Sequence, residues 1–146
     1  MEHIAIMKKS WGLTRKIFTG RKSIESRWYN TKRVPWNRIK IGETIYFKDS
    51  GEPVSLKAEV DKVVQYSNLK KSEIQKIIDV YRNDIGLGSD ELPEFFEMIK
   101  EKKYCILMFL KNPMRVEAFE IDKSGFGAMS AWITVNDIGA LKSRIE

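Results

Sequence analysis

Gly20-Arg21-Lys22-Ser23-Ile24-Glu25-Ser26-Arg27 joins a helix signal to a strand signal and holds the densest cluster of charged side chains in the sequence. Upstream, Ser10 is a candidate N-cap, Leu13 and Ile17 fall on one helical face running to Thr19, and Gly20 stands where a helix ends in left-handed backbone. Downstream, Ile24 to Tyr29 reads as a strand. In extended backbone successive side chains alternate, so Ser23, Glu25 and Arg27 share one face and Lys22 lies on the other. A turn before Ile24 would bring Lys22 back beside them. A Lys-Glu-Arg group of this kind can hold a polar ligand, with the cations on anionic oxygens and the carboxylate on an amine or amide edge. It can equally be a self-satisfied ion-pair network.

Working outward, His3 to Met7 has the composition of a first strand, and Thr31 to Lys40 is a basic loop containing Pro35. Thr44 to Lys48 and the segment from Leu56 towards Gln65 read as a hairpin around the turn Ser50-Gly51-Glu52-Pro53, because Leu56, Ala58 and Val60 alternate with Lys57, Glu59 and Asp61. Ser72-Glu73-Ile74-Gln75 predicts a capping box, followed by Ile74, Ile77, Ile78 and Tyr81 at helical spacing. Gly86 and Gly88 break this helix, and a second one begins near Pro93 with Leu92, Phe95, Phe96 and Ile99 as a core stripe. Tyr104 to Leu110 and Val116 to Ile121 are predicted as two strands joined by a turn at Asn112-Pro113. A Gly-rich segment at Ser124-Gly125-Phe126-Gly127 precedes Trp132-Ile133 and a final short helix carrying Ile138, Leu141 and Ile145. Strands interrupted by segregated helices predict an α+β fold with a curved mixed sheet of about six strands or a small barrel at its centre. The 146 residues suit a single domain over 1–146, with a helical insert at about 70–102.

Composition narrows the chemistry. The single cysteine, Cys105, and the single histidine, His3, supply neither a disulfide nor a zinc motif, and a Ser-His-Asp triad lacks its signature, so no metal or other cofactor is expected. Cys105 sits in the longest apolar run, Tyr104 to Leu110, and is expected in the core. That run is far short of the roughly 20 residues of a membrane helix, and the charged start leads into no signal-peptide core, so a cytoplasmic protein without membrane contact is expected. The net charge is +6, but from Lys8 to Lys48 twelve Lys and Arg face only Glu25 and Glu43, a local balance of +10 against −4 elsewhere. Trp11, Trp28, Tyr29, Trp36 and Tyr46 interleave with these cations. Such a stretch suits phosphates and stacked bases, although cations also solvate surfaces and tryptophans also pack cores.

The motif Gly20-x-Lys22-x-x-Glu25-x-Arg27, preceded by a helix and followed by Gly42-Glu43-Thr44-Ile45-Tyr46-Phe47, resembles the ASCH domain of the PUA-like superfamily. The likeness runs from residue 3 to about 140, the helical stretch between residues 68 and 102 being its least diagnostic part. The resemblance implies a PUA-like small β-barrel with surrounding short helices, a cleft beside the first helix lined by the four motif residues, and a role in RNA binding or nucleotide chemistry. One small branch of the family resembles an amidohydrolase acting on N4-acetylcytidine through a Lys and a Thr nucleophile of this motif together with a distant Glu. Lys22 matches the Lys, but Glu25 stands at the Thr position, so acyl transfer would require Ser23, Ser26 or an activated water. Other members are similar to ribonucleases, in which Lys22 would stabilise phosphorane charge and Glu25 would act as base.

The expectation is therefore a domain that binds RNA or a modified nucleotide or nucleoside in a basic cleft. Lys16, Arg21, Lys22 and Arg27 would neutralise phosphate, Trp28 or Trp11 would stack a base, and Glu25 would read a base edge or hold Arg27. Two alternatives stand beside it: a hydrolase of RNA or of an acylated nucleoside amide with Lys22 and Glu25 catalytic, and a protein-interaction domain whose basic patch meets an acidic partner. The Gly125-Phe126-Gly127 loop is expected to border the same cleft, with Phe126 as a lid or else packed inward.

Overall fold

Apolar-rich extended segments, strictly alternating only in the one from Val54, build a six-stranded mixed sheet in the order β2-β5-β4-β3-β1-β6, seen in a computed structural model that describes residues 1–123, 125–127 and 130–142. Its strands are β1 (Glu2–Met7), β2 (Ile24–Tyr29), β3 (Thr44–Asp49), β4 (Val54–Tyr66), β5 (Tyr104–Phe119) and β6 (Trp132–Val135). β1 pairs with β3 in parallel and with β6 antiparallel; the other neighbours are antiparallel. The sheet curls into a half-barrel. Ala5, Met7, Ile45, Phe47, Leu56, Ala58, Val60, Ile106, Met108 and Trp132 fill one face. Against the other face, Ile24, Trp28, Cys105 and Leu107 pack under α2 (Lys71–Ile85) and α3 (Leu92–Ile99), which occupy the predicted helical stretch between β4 and β5. Cys105 is wholly buried there, and burial pushes its thiol well above the ordinary range.

Several local expectations are corrected. The helix expected from Ser10 is divided: a 3-10 turn spans Lys9–Trp11, Gly12 adopts φ 60°, and α1 covers only Leu13–Phe18. Gly12 rather than Ser10 therefore caps α1, since its left-handed backbone reverses the chain between the two pieces. The N-cap of α2, Lys70, lies two residues before the predicted one, Ser72, and it is the Lys70 N–H that donates to Glu73 Oε1 at 2.9 Å. The two strands predicted around Asn112-Pro113 are one continuous β5. Asn112 has φ 52°, and the pairing steps from Glu59–Lys111 to Lys57–Met114 across it. The pair thus forms a bulge, which absorbs an extra residue while β4 continues alongside. The final helix is a single 3-10 turn at Ile138–Leu141; Ser124 and Ile145 lie outside the described residues. Among the described residues no helix is long and apolar enough to cross a membrane.

Candidate functional site

The site begins at the end of α1. Gly20, at φ 82°, turns the chain, and the Lys22 N–H donates to Lys16 O at 3.0 Å. Ser23 N–H then donates to Asp84 O at 2.8 Å, which ties the segment to the end of α2 just before β2 starts. This is the turn that brings Lys22 beside Glu25. Its ammonium is buried and donates to Ile24 O and Ile85 O, each at 2.7 Å, with Glu25 Oε1 at 3.2 Å. All three of its donor directions are accounted for, so Lys22 fixes Glu25 rather than projecting towards phosphate.

Glu25 is buried between two cations. Its Oε2 accepts from Arg27 Nε at 2.9 Å and lies 2.8 Å from Nη2. Burial alone would push the carboxyl up, but Lys22 and then Arg27 outweigh it and hold Glu25 below the usual carboxylate range. Burial pushes the Lys22 ammonium down, against the pull of Glu25. The group is best described as an ionised carboxylate shared by two basic side chains. Arg27 continues across the sheet opening: Nη1 donates to Ala131 O at 3.2 Å, Nη2 to Ile6 O at 3.3 Å, and the guanidinium lies 5.1 Å from the Trp132 ring centroid.

These residues line a cavity of about 760 Å³ along the free edge of β2, between it, the end of β1, the segment before β6, and α3. Because β2 is an edge strand, side chains from both of its faces reach this space. Trp11 and Trp28 stand in its wall against Phe95 of α3, with ring centroids 5.8 and 6.3 Å away. Trp28 is 8% exposed and donates from Nε1 to Ser26 Oγ at 3.0 Å. Lys8 Nζ sits 4.4 Å from the Trp11 ring centroid. Among the described lining residues, Lys8, Lys22, Arg27, Lys102 and Lys123 face a single acid, Glu25.

Of the residues singled out in the sequence, Lys22, Glu25, Arg27, Trp11 and Trp28 converge on this cavity, whereas Lys16 and Arg21 line a second one of about 480 Å³ at the end of α2. Lys123, Ser130 and Ala131, on either side of the Gly-rich loop, line the first cavity; Phe126 is exposed and is not in its wall. Phe95, read from the sequence only as core, is a wall residue as well, a role that helical spacing could not reveal. The +10 segment is also less bare than its sequence: Lys8 pairs with Glu94 at 3.0 Å, Lys9 with Glu52, and Lys16 with Glu91 at 3.0 Å. His3, buried, is a structural group, its ring bonded to Glu43 and Thr134, each at 2.9 Å. Among the described residues no three His, Cys, Asp or Glu side chains gather as metal ligands.

No protein-family model and no curated protein matches the sequence. Solved structures match the fold. The crystal structure of ASCH from Zymomonas mobilis superposes with a TM-score of 0.68, covering 99% of this chain and 98% of that one at 15% identity. A mutant of the same protein gives 0.67 at 14% identity, covering 97% and 99%. A hypothetical protein gives 0.50 at 22% identity, covering 78% of this chain and all of its own. At such identities the likeness speaks for the architecture, and the chemistry rests on the side chains.

Proposed function

Because the chain has the fold of an ASCH domain, a curled PUA-like half-barrel, we propose that it binds RNA or a modified nucleotide or nucleoside in the cavity along β2. The observation that carries this reading is the ionised, buried Glu25, held by Lys22 and Arg27 in a cavity walled by Trp11, Trp28 and Phe95. Glu25 Oε1 accepts from Lys22 and keeps a lone pair for an N–H of a base edge, while the indole and phenyl rings supply apolar contact for its plane. Among the described lining residues cations outnumber acids, and those beyond the Lys22–Glu25–Arg27 group suit the phosphate and carbonyl oxygens of such a ligand. At about 760 Å³ the cavity falls within the roughly 300–1,000 Å³ range of small-molecule sites.

Recognition is favoured over hydrolysis by the same electrostatics. A carboxylate stabilised below its ordinary range is a weak proton acceptor at neutral pH, and Ser26, the next residue of the strand, turns its Oγ to Trp28 Nε1. The test is a tryptophan-fluorescence titration with nucleosides, nucleotides and single-stranded RNA, with mass-spectrometric detection of products. RNA affinity is expected to fall between about 50 and 200 mM salt through counterion release. Trp11→Ala is expected to weaken binding by about 1–3 kcal/mol per stacked base. Absence of binding in all three classes would refute the reading, and turnover abolished by Glu25→Gln would replace it with the hydrolase.

A further inference from the structure

The second cavity, about 480 Å³, lies beyond the wall that Lys22 and Gly86 form. Leu87 lines both cavities. Three cations converge here from separate elements: Lys16 from α1, Arg21 from the turn that follows it, and Arg82 from the last turn of α2. Lys16 is committed, its ammonium donating to Gly86 O at 2.8 Å and to Glu91 Oε1 at 3.0 Å, with Oε2 at 3.4 Å. That contact neutralises Glu91, the one acid among the described lining residues. Arg21 and Arg82 are exposed and have no acceptor among the described residues. The two guanidiniums therefore leave a net positive hollow whose acid is already paired.

We propose that this second cavity is a phosphate-binding site, with Arg21 and Arg82 as its ligands and Lys16–Glu91 as the brace that shapes it. Planar guanidiniums match the oxygen spacing of phosphate and bind it through paired N–H donors. The phosphate comes either from a nucleoside monophosphate or from the backbone of RNA. That it belongs to the ligand whose base occupies the first cavity rests on the function proposed above; the site itself rests on its own residues.

The test compares the intact protein with Arg21→Gln/Arg82→Gln and with a charge-matched control, Arg15→Gln/Arg115→Gln, against inorganic phosphate, a nucleoside, its 5′-monophosphate and an RNA oligonucleotide without terminal phosphate. Both Arg21 and Arg82 are exposed, so the variant is expected to keep the parent's melting temperature. Phosphate is expected to shift the backbone amide resonances of the Gly86–Ser89 loop, and the Arg21/Arg82 variant to lose about tenfold or more in phosphate affinity while the control keeps it. Nucleoside binding should be the same in all three proteins. A gain for the monophosphate alone identifies a phosphomonoester ligand, and a gain for the oligonucleotide alone identifies the RNA backbone. Equal losses in variant and control, or phosphate shifts away from this loop, overturn the proposal. Phosphate binding lost in the variant with no nucleoside bound by any protein would keep the phosphate site and refute the base cavity.

Discussion

Replacing Lys22 by methionine removes an ammonium of nearly equal volume and leaves its surroundings to report what it did. Ile24 O and Ile85 O lose a buried donor, and Glu25 keeps only Arg27. Removing one partner of a buried ion pair costs about 3–5 kcal/mol, which spans the separate costs of orphaning a buried carbonyl and a carboxylate. With a urea slope of about 2 kcal/mol/M, the unfolding midpoint should fall by roughly 1.5–2.5 M. The pH profile supplies a second reading. Glu25 is held below 4.5 in the folded protein, so its contribution is present above that value and lost as pH falls through the lower folded one. In Lys22→Met the upward push of burial is opposed by Arg27 alone, and this acid loss should move to higher pH. Because Glu25→Gln strands the same pair from the other side, the double variant should cost less than the sum of the two by at least about 1 kcal/mol. A loss below about 1 kcal/mol for Lys22→Met, or additivity in the double variant, would show that the triad is not a coupled buried unit.

Gly86 has φ 90°, and a Cβ there would lie 3.1 Å from Lys22 Cβ, whereas Gly12 has φ 60° and open space around it. Gly86→Ala should therefore destabilise by about 2–3 kcal/mol and Gly12→Ala by about 1 kcal/mol, in chemical denaturation; equal costs would mean that the Lys22 contact carries no strain. Burial holds the His3 imidazole below its ordinary 6.5, although Glu43 pulls the other way. Its neutral form is thus the folded one, so the stability it contributes is complete above 6.5 and declines as pH falls towards its lower folded value. Melting temperatures between pH 7 and 5 should show this slope in the parent and a flatter one in His3→Gln; parallel slopes would assign the acid sensitivity elsewhere.

Residues near in sequence were the legible ones. Glu25 and Arg27 are two apart in a strand, so alternation alone puts them on one face, and Gly20 marks the turn that returns Lys22 to them. What the sequence hid depends on distant chain. Glu91 and Glu94 lie 75 and 86 residues from the lysines they neutralise, so a local charge count overstates the exposed positive surface. Arg82 carries a helix-end signature and gains meaning only when α2 ends beside Arg21. Asn112-Pro113 has turn chemistry in either setting; the long partner strand β4 is what makes it a bulge.

Arg27 joins two parts of the sheet that the backbone leaves apart. Among the described residues β2 and β6 exchange no ladder hydrogen bonds, yet the guanidinium of β2 reaches Ile6 O at the end of β1 and Ala131 O just before β6. The half-barrel is therefore fastened across its mouth by a side chain, and the cavity opens beside that fastening. A guest that drew Arg27 away from those carbonyls would unbuckle the mouth, whereas one that left them in place would be gripped by a ring of fixed width. Occupancy and the width of the opening are thus one mechanical variable, and amide exchange near Ala131 and along β6 would register which kind of guest had entered.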